Sequence, residues 1–304
     1  MRHSPRKFNI RYQAIFNTFL NDNIIRVWLV QPLNSIMQKI ESLSISPRSQ
    51  KYYKDDQGNI FFYFEFKGQK SFNIQMDIEA ILWKNKINLL KEKISLPAVF
   101  SKLFQRYTKN EKFLEQTPAV KILTKKIINK DDNILNKIQS IFNFVAKNFK
   151  YYYPVKKRGV KYLDLNALKG DCGEYSALFV TMCRILKIPA RNNTGFVIFP
   201  KQKKIVEHGW ANAYLKPYGW LDFDTQYASL EKNIKKYFAQ RSDYRIVFTN
   251  GFNIPLKPSI PKSFQISYPN KLSLPLTNNS VQTLQPIVFT SKEDFEFEDH
   301  IELI

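Results

Sequence analysis

One apolar helix with a cysteine at its first position constrains this chain more than any other feature. Gly170-Asp171 forms a turn, and Cys172 opens a run that is apolar at Ala177, Leu178, Val180, Cys183, Ile185 and Leu186. That spacing predicts a helix over 172–187 with a broad buried stripe, ended by Pro189. A helix this apolar needs a layer to pack on, so the segment belongs to a folded core. Its first N–H groups lack intrahelical partners, and the helix dipole puts partial positive charge there. Both effects favour a thiolate and predict a lowered thiol pKa at Cys172.

The next segment supplies the layer. Ala211, Ala213 and Leu215 alternate with His208, Trp210, Asn212 and Tyr214, a strand pattern that puts His208 on one face with Trp210 and Asn212. Pro217-Tyr218-Gly219 is a turn. Trp220, Asp222 and Asp224 share a face of the strand that follows. The three histidines are His3, His208 and His300, and two of them lie near the termini. His208 is therefore the imidazole available to a central cysteine. A nucleophile, a base and an orienting carboxylate follow in that order. Alternation alone does not choose between Asp222 and Asp224.

Residues 138–224 resemble the core of the transglutaminase-like superfamily. The phrases that carry the resemblance are Ile141-Phe142-Asn143-Phe144-Val145 with Asn148-Phe149-Lys150-Tyr151, and Gly170-Asp171-Cys172-Gly173-Glu174-Tyr175-Ser176-Ala177. Ile188-Pro189-Ala190-Arg191 with Thr194-Gly195-Phe196, His208-Gly209-Trp210, and Gly219-Trp220-Leu221-Asp222-Phe223-Asp224 complete it. Their order is what makes the signal specific. The resemblance implies an α+β fold, with a papain-like or transglutaminase-like core of helices packed on an antiparallel sheet. It implies Cys172 as nucleophile, His208 as base and Asp224 rather than Asp222 as orienter. The chain departs from the family pattern at Asn212, where an acidic residue is common, and at Thr225-Gln226, where Pro then Thr is common. Neither departure removes a catalytic group.

The implied reaction is acyl transfer through a thioester. The expected activity is a cysteine protease or amidase acting on peptide or side-chain amides. A cross-linking transglutaminase is one alternative, and a catalytically idle peptide-binding module is another. Asp55-Asp56-Gln57-Gly58-Asn59 lacks the spacing and terminal Glu of a calcium loop and reads as a hairpin turn. Cys183 lies eleven positions past Cys172 on the same helix, about 16 Å of rise, beyond disulfide reach. Two cysteines and three scattered histidines do not make a zinc site. No cofactor or metal is expected.

The N-terminal part reads as strands at 23–32, 59–66 and 72–78. It suggests a small β-sandwich like the domain that often precedes the catalytic core in bacterial family members. The expected domains are 1–111 for that sandwich, 112–255 for the catalytic unit and 256–304 for an extended tail. Within the catalytic unit, helices are expected over 117–128 and 132–148, with a short helix or linker over 96–107 just before it. The net charge is +21, which raises nucleic acid as a partner. The basic residues are scattered, however, and frequent Lys, Ile, Asn and Phe match an AT-rich coding bias. Two dense groups, Lys201–Lys204 and Lys156-Lys157-Arg158, flank the expected cleft. They read as solvated loops or as attraction for acidic substrates. A protein or peptide substrate is the expected partner, with no membrane partner and with nucleic acid disfavoured. No signal-peptide core follows the basic N-terminus, and no apolar run reaches membrane-spanning length. A free reactive thiol suits a reducing cytoplasm.

Overall fold

The computed structural model describes residues 4–85, 87, 89, 93–155, 157–259, 266–268, 280–281, 287–292 and 296–304. The N-terminal strands are β1 (Arg6–Asn17), β2 (Ile24–Gln31), β3 (Gln38–Ser46), β4 (Lys51–Lys54), β5 (Ile60–Lys67) and β6 (Ser71–Leu82). Helices α1 (Lys102–Thr108), α2 (Pro118–Ile127) and α3 (Ile134–Asn148) follow, then the short strands β7 (Lys150–Tyr151) and β8 (Lys169–Gly170). The middle of the chain holds α4 (Cys172–Ile185), β9 (Ala190–Phe199), β10 (Lys204–Leu215), β11 (Gly219–Phe223), α5 (Thr225–Leu230), α6 (Ile234–Tyr237) and β12 (Arg245–Asn250). The C-terminal strands are β13 (Ile254–Pro255), β14 (Ile266–Tyr268), β15 (Ser280–Val281), β16 (Ile287–Thr290) and β17 (Glu296–Leu303).

The fold is α+β, with antiparallel sheets carrying the larger part. β1 shows why. Phe8, Ile10, Tyr12, Ala14 and Phe16 are buried while their neighbours are not, the period of two that makes one face of a strand apolar. β1 pairs with β6 from Arg6↔Leu82 to Asn17↔Ser71. One sheet has the order β17-β1-β6-β3 and the second β14-β16-β2-β5-β4. Their inward residues form one core. The turn between β4 and β5 is an Asx turn: Asp55 Oδ1 accepts the N–H groups of Gln57 and Asn59 at 2.9 and 2.8 Å.

The segment after residue 256 returns to these sheets. β17 lies along β1 from Ile10↔Leu303 to Asn17↔Glu296, and β16 lies along β2. β1 and β3 went unread in the sequence. Four residues of β3 are buried or half-buried, and the register shifts between Ile40 and Ser42, so no strict alternation marks the strand. The helix expected somewhere over 96–107 begins at Lys102, where Ser101 caps it by accepting the Phe104 N–H.

The central sheet has the order β11-β10-β9-β12. On one face lie α4, α3 and α5, packed through Phe142, Phe179 and Phe223. Toward its β9–β10 turn, Phe196, Ile198, Ile246 and Phe248 join the N-terminal core, and on the face away from α4 Leu33 packs on Trp210 and Val247. Buried Gln38 fastens the N-terminal unit to the sheet, accepting from Val247 N–H at 2.7 Å and donating to Val247 O at 2.8 Å.

Gly195 sits in β9 opposite both His208 and Val247. A Cβ there would come within 1.9 Å of Ile246 O, so only glycine lets β12 approach. Gly195→Ala is expected to force β12 off the sheet and destabilise by about 1–3 kcal/mol. Thermal unfolding checks this, and an unchanged Tm contradicts the close approach.

Candidate active site

Three chain segments meet at the N-terminal end of α4. Cys172 is the first helical residue, capped by Asp171, whose Oδ1 accepts the Gly173 N–H at 2.8 Å. The Cys172 sulfur lies against the backbone of Gly209, where an added Cβ would stand 3.6 Å from it. His208 precedes Gly209 on β10. Its Nε2 bonds Asp224 Oδ2 at 2.8 Å, and its ring meets Tyr227 edge-on at 4.5 Å between centroids.

Asp224 lies one residue past β11 and caps α5, with Oδ1 accepting the Tyr227 N–H at 2.9 Å. Arg245, from β12, donates Nη2 to the same Oδ2 that His208 uses. The Arg245 guanidinium also lies over the rings of Trp210, Tyr227 and Tyr237 at 5.3, 5.7 and 5.6 Å. Burial works to raise the Asp224 carboxyl, but His208 and Arg245 together outweigh it and hold it below the usual range. The carboxylate is therefore ionised and fully engaged.

Asp222 sits elsewhere. It is buried, and its Oδ1 accepts from Asn212 Nδ2 at 2.7 Å. The imidazole contacts Asp224 and not Asp222. His300 is exposed on β17 with Glu298 at 3.6 Å, and His3 lies outside the described residues. Cys183 is fully buried in α4 and unpaired.

The expected low thiol pKa at Cys172 is not found. Burial pushes the thiol well up and Asp171 adds to it, while the Gly209 N–H and Arg158 pull the other way. The helix start is occupied by its own anionic cap, which cancels the dipole's pull at the sulfur.

A second correction concerns Arg158, read from sequence as part of a basic loop. It is buried and clamps the cap from behind. Nη1 donates to Asp171 Oδ1 at 2.8 Å and to Glu174 Oε2 at 2.7 Å. Burial raises Glu174 to about 8 against the partial relief that Arg158 gives, and Asp171 raises it further. Asp171 resists burial through its bonds to Arg158 and stays below the usual range. Glu174 thus keeps its proton at neutral pH, and the cluster carries one anion and one cation. The sequence clue was two carboxylates flanking a cysteine at the start of an apolar helix, which demand a buried cation. Arg245 had no such clue.

Residues 121–225 match the model of the transglutaminase-like superfamily. An uncharacterized protein of Haemophilus influenzae is 24% identical over 231 residues, covering 66% of this chain and 63% of that protein. A solved structure from Cytophaga hutchinsonii, described as that of a candidate cysteine protease, aligns over 100% of this chain and 99% of its own. Its TM-score is 0.65 at 14% identity. The periplasmic domain of TgpA from Pseudomonas aeruginosa aligns over 76% of this chain and 74% of that one, with a TM-score of 0.42 and 12% identity. The chain carries a transglutaminase-like core, on a fold shared with the Cytophaga protein.

The clamp makes stability depend on pH. Glu174 holds its proton to about 8 in the fold and to the ordinary 4.5 when unfolded. Between those values the folded state binds more protons, so stability falls as pH rises through the window and levels off above it. Glu174→Gln removes this titration. Its Tm is expected to fall less than that of the parent between about pH 5 and pH 8. Parallel profiles in a Tm-against-pH series would show that Glu174 ionises normally.

Proposed function

We propose that this chain is a cysteine hydrolase that cleaves peptide or side-chain amide bonds through a thioester on Cys172. The observation that supports the reading best is the fixed imidazole. His208 gives Nε2 to a buried carboxylate, and the thiol lies against the next residue of the same strand.

The bond to Asp224 keeps the Nε2 proton in place, so Nδ1 carries the lone pair. His208 Nδ1 takes the thiol proton as the sulfur attacks the carboxamide carbon. The carbonyl π pair moves to oxygen, and the Cys172 N–H at the helix start is the assigned donor to that oxyanion. The Gly173 N–H is committed to Asp171. Collapse of the intermediate breaks the C–N bond, and the imidazolium protonates the departing amine. Water, deprotonated by His208, then attacks the thioester, releases the acid and returns the proton to sulfur. Asp224 holds the ring and stabilises the imidazolium. Arg245 acts through Asp224 as a positioning residue.

Because burial and Asp171 raise the thiol, ionisation near neutral pH depends on His208 accepting the proton. Iodoacetamide alkylation of Cys172 at pH 7, followed by mass spectrometry with buried Cys183 as internal reference, should slow at least about tenfold in His208→Ala. Equal rates in the two proteins would mean that no Cys172–His208 pair exists.

The choice of carboxylate is tested by turnover of a fluorogenic peptide library. Cys172→Ala should abolish turnover, and Asp224→Asn should reduce kcat by on the order of 10³-fold or more through the wrong tautomer. Asp222→Asn should cost far less. The reverse order would assign orientation of the ring to Asp222.

A further inference from the structure

The thiol stands at one end of a gap between α4 and the N-terminal unit. Ile205, Glu207 and Gly209 share one face of β10. At one end Ile205 packs on the N-terminal core. At the other, Gly209 lies against the Cys172 sulfur. Glu207 stands between them and is exposed, about 7 Å along the strand from Gly209. β17 packs against β10 on this side. Its exposed Asp299, whose Oδ2 accepts from the Tyr12 hydroxyl at 3.1 Å, is the strongest charge that Glu207 feels.

The opposite side of the thiol is aromatic. β7 pairs with β8 at Tyr151↔Gly170, two residues before Cys172, and the Tyr152 N–H donates to Gly170 O at 2.9 Å. This ladder fixes Tyr151, Tyr152 and Tyr153 beside the start of α4. They are 53%, 45% and 46% exposed, so they do not serve as core. Tyr153 faces the gap: the charges of Glu207, Asp171 and Cys172 all reach its hydroxyl. The Glu207 carboxylate also reaches the thiol. The nearby cations are committed or turned aside. Arg158 is bound to Asp171 and Glu174, and Lys169 lies over the Tyr152 ring at 5.2 Å. Lys204, the end of the dense lysine group, has the opposite parity to Glu207 on β10 and projects from the other face. A negative, aromatic rim at the sulfur is the reverse of what a net charge of +21 dictates. The lysine groups at the cleft would favour an acidic substrate, whereas the side chains nearest the sulfur favour a cation.

We propose that Glu207 and Tyr153, with Asp299 behind them, form a subsite that selects a cationic side chain of the lysine or arginine class beside the scissile amide. The amide rests on the hydrolase reading above; the preference for a cation does not. The ammonium or guanidinium pairs with Glu207 and Asp299, and the alkyl stem lies on the Tyr153 ring. One exposed ion pair is worth little, so discrimination comes from two carboxylates and a ring acting on the same cation.

The charge preference is read at the thiol itself, without turnover. The full chain is modified at about pH 8 and low salt with trimethylammonioethyl, methyl or sulfonatoethyl methanethiosulfonate. Each rate at Cys172, followed by mass spectrometry, is divided by the rate for free mercaptoethanol. The cationic reagent is expected to react at least about tenfold faster than the anionic one. Glu207→Gln should cut that ratio at least about threefold, Asp299→Asn should cut it less, and Glu207→Lys should invert it. In the fluorogenic library, kcat/KM for lysyl peptides should exceed that for their norleucyl isosteres at least about tenfold, and Glu207→Gln should collapse that ratio. Equal modification rates, or a faster anion, would overturn the subsite. Equal turnover of lysyl and norleucyl peptides, lost in Cys172→Ala, would overturn it and leave the hydrolase intact. Cation preference at the thiol without any turnover that depends on Cys172 would uphold the subsite's charge preference and sink the hydrolase reading.

Discussion

A single buried carboxylate organises the end of the central sheet. Asp224 is nearly inaccessible, and an ion in such a place persists only if its lone pairs are taken. Here they are taken from three directions, by His208 on β10, Arg245 on β12 and the Tyr227 N–H in α5. The carboxylate therefore ties β10, β12 and α5 together around the imidazole. Breaking a buried pair of this kind typically costs about 3–5 kcal/mol. The same bonds fix the position of the His208 ring.

The thiol side follows a different electrostatic logic. Asp171 caps α4, stays ionised through Arg158, and raises the thiol beside it. Glu174, the third member, keeps its proton and so adds no second negative charge. The raised thiol and the ionised Asp224 carboxylate are thus set by two separate clusters of buried charge.

Local pattern carried much of this into the sequence, and long-range pairing did not. The cysteine-led helix and the alternation of 208–215 are visible because each depends on residues close in the chain, and α4 and β10 lie where those patterns put them. Asp222 and Asp224 share a strand face, so periodicity could not separate them; the contact with His208 does. Arg158 and Arg245 were two basic residues among 47, and only the fold shows that each is buried against a carboxylate. β3 was hidden because its register shifts between Ile40 and Ser42, which breaks the alternation. A polar relay, in which Asn193 Nδ2 donates to Asn212 Oδ1 and Asn212 Nδ2 to Asp222 Oδ1, draws one residue from each of three strands, which no window along the chain can assemble.

The two faces of β10 meet different layers. Gly209, Ala211 and Ala213 face α4, where small residues let the helix approach. Trp210, Asn212 and Tyr214 point the other way. On a strand exposed on one side, such residues would meet water. Here the N-terminal unit covers them, so each must find a partner or bound a cavity. Trp210 packs against Leu33 and Val247, and Asn212 enters the relay. His208 lies beyond the end of β11, whose last pairing is Ala211↔Phe223. That missing neighbour opens the edge where Asp224 and Tyr227 can reach the ring. A shorter strand beside a longer one therefore creates the space for the imidazole.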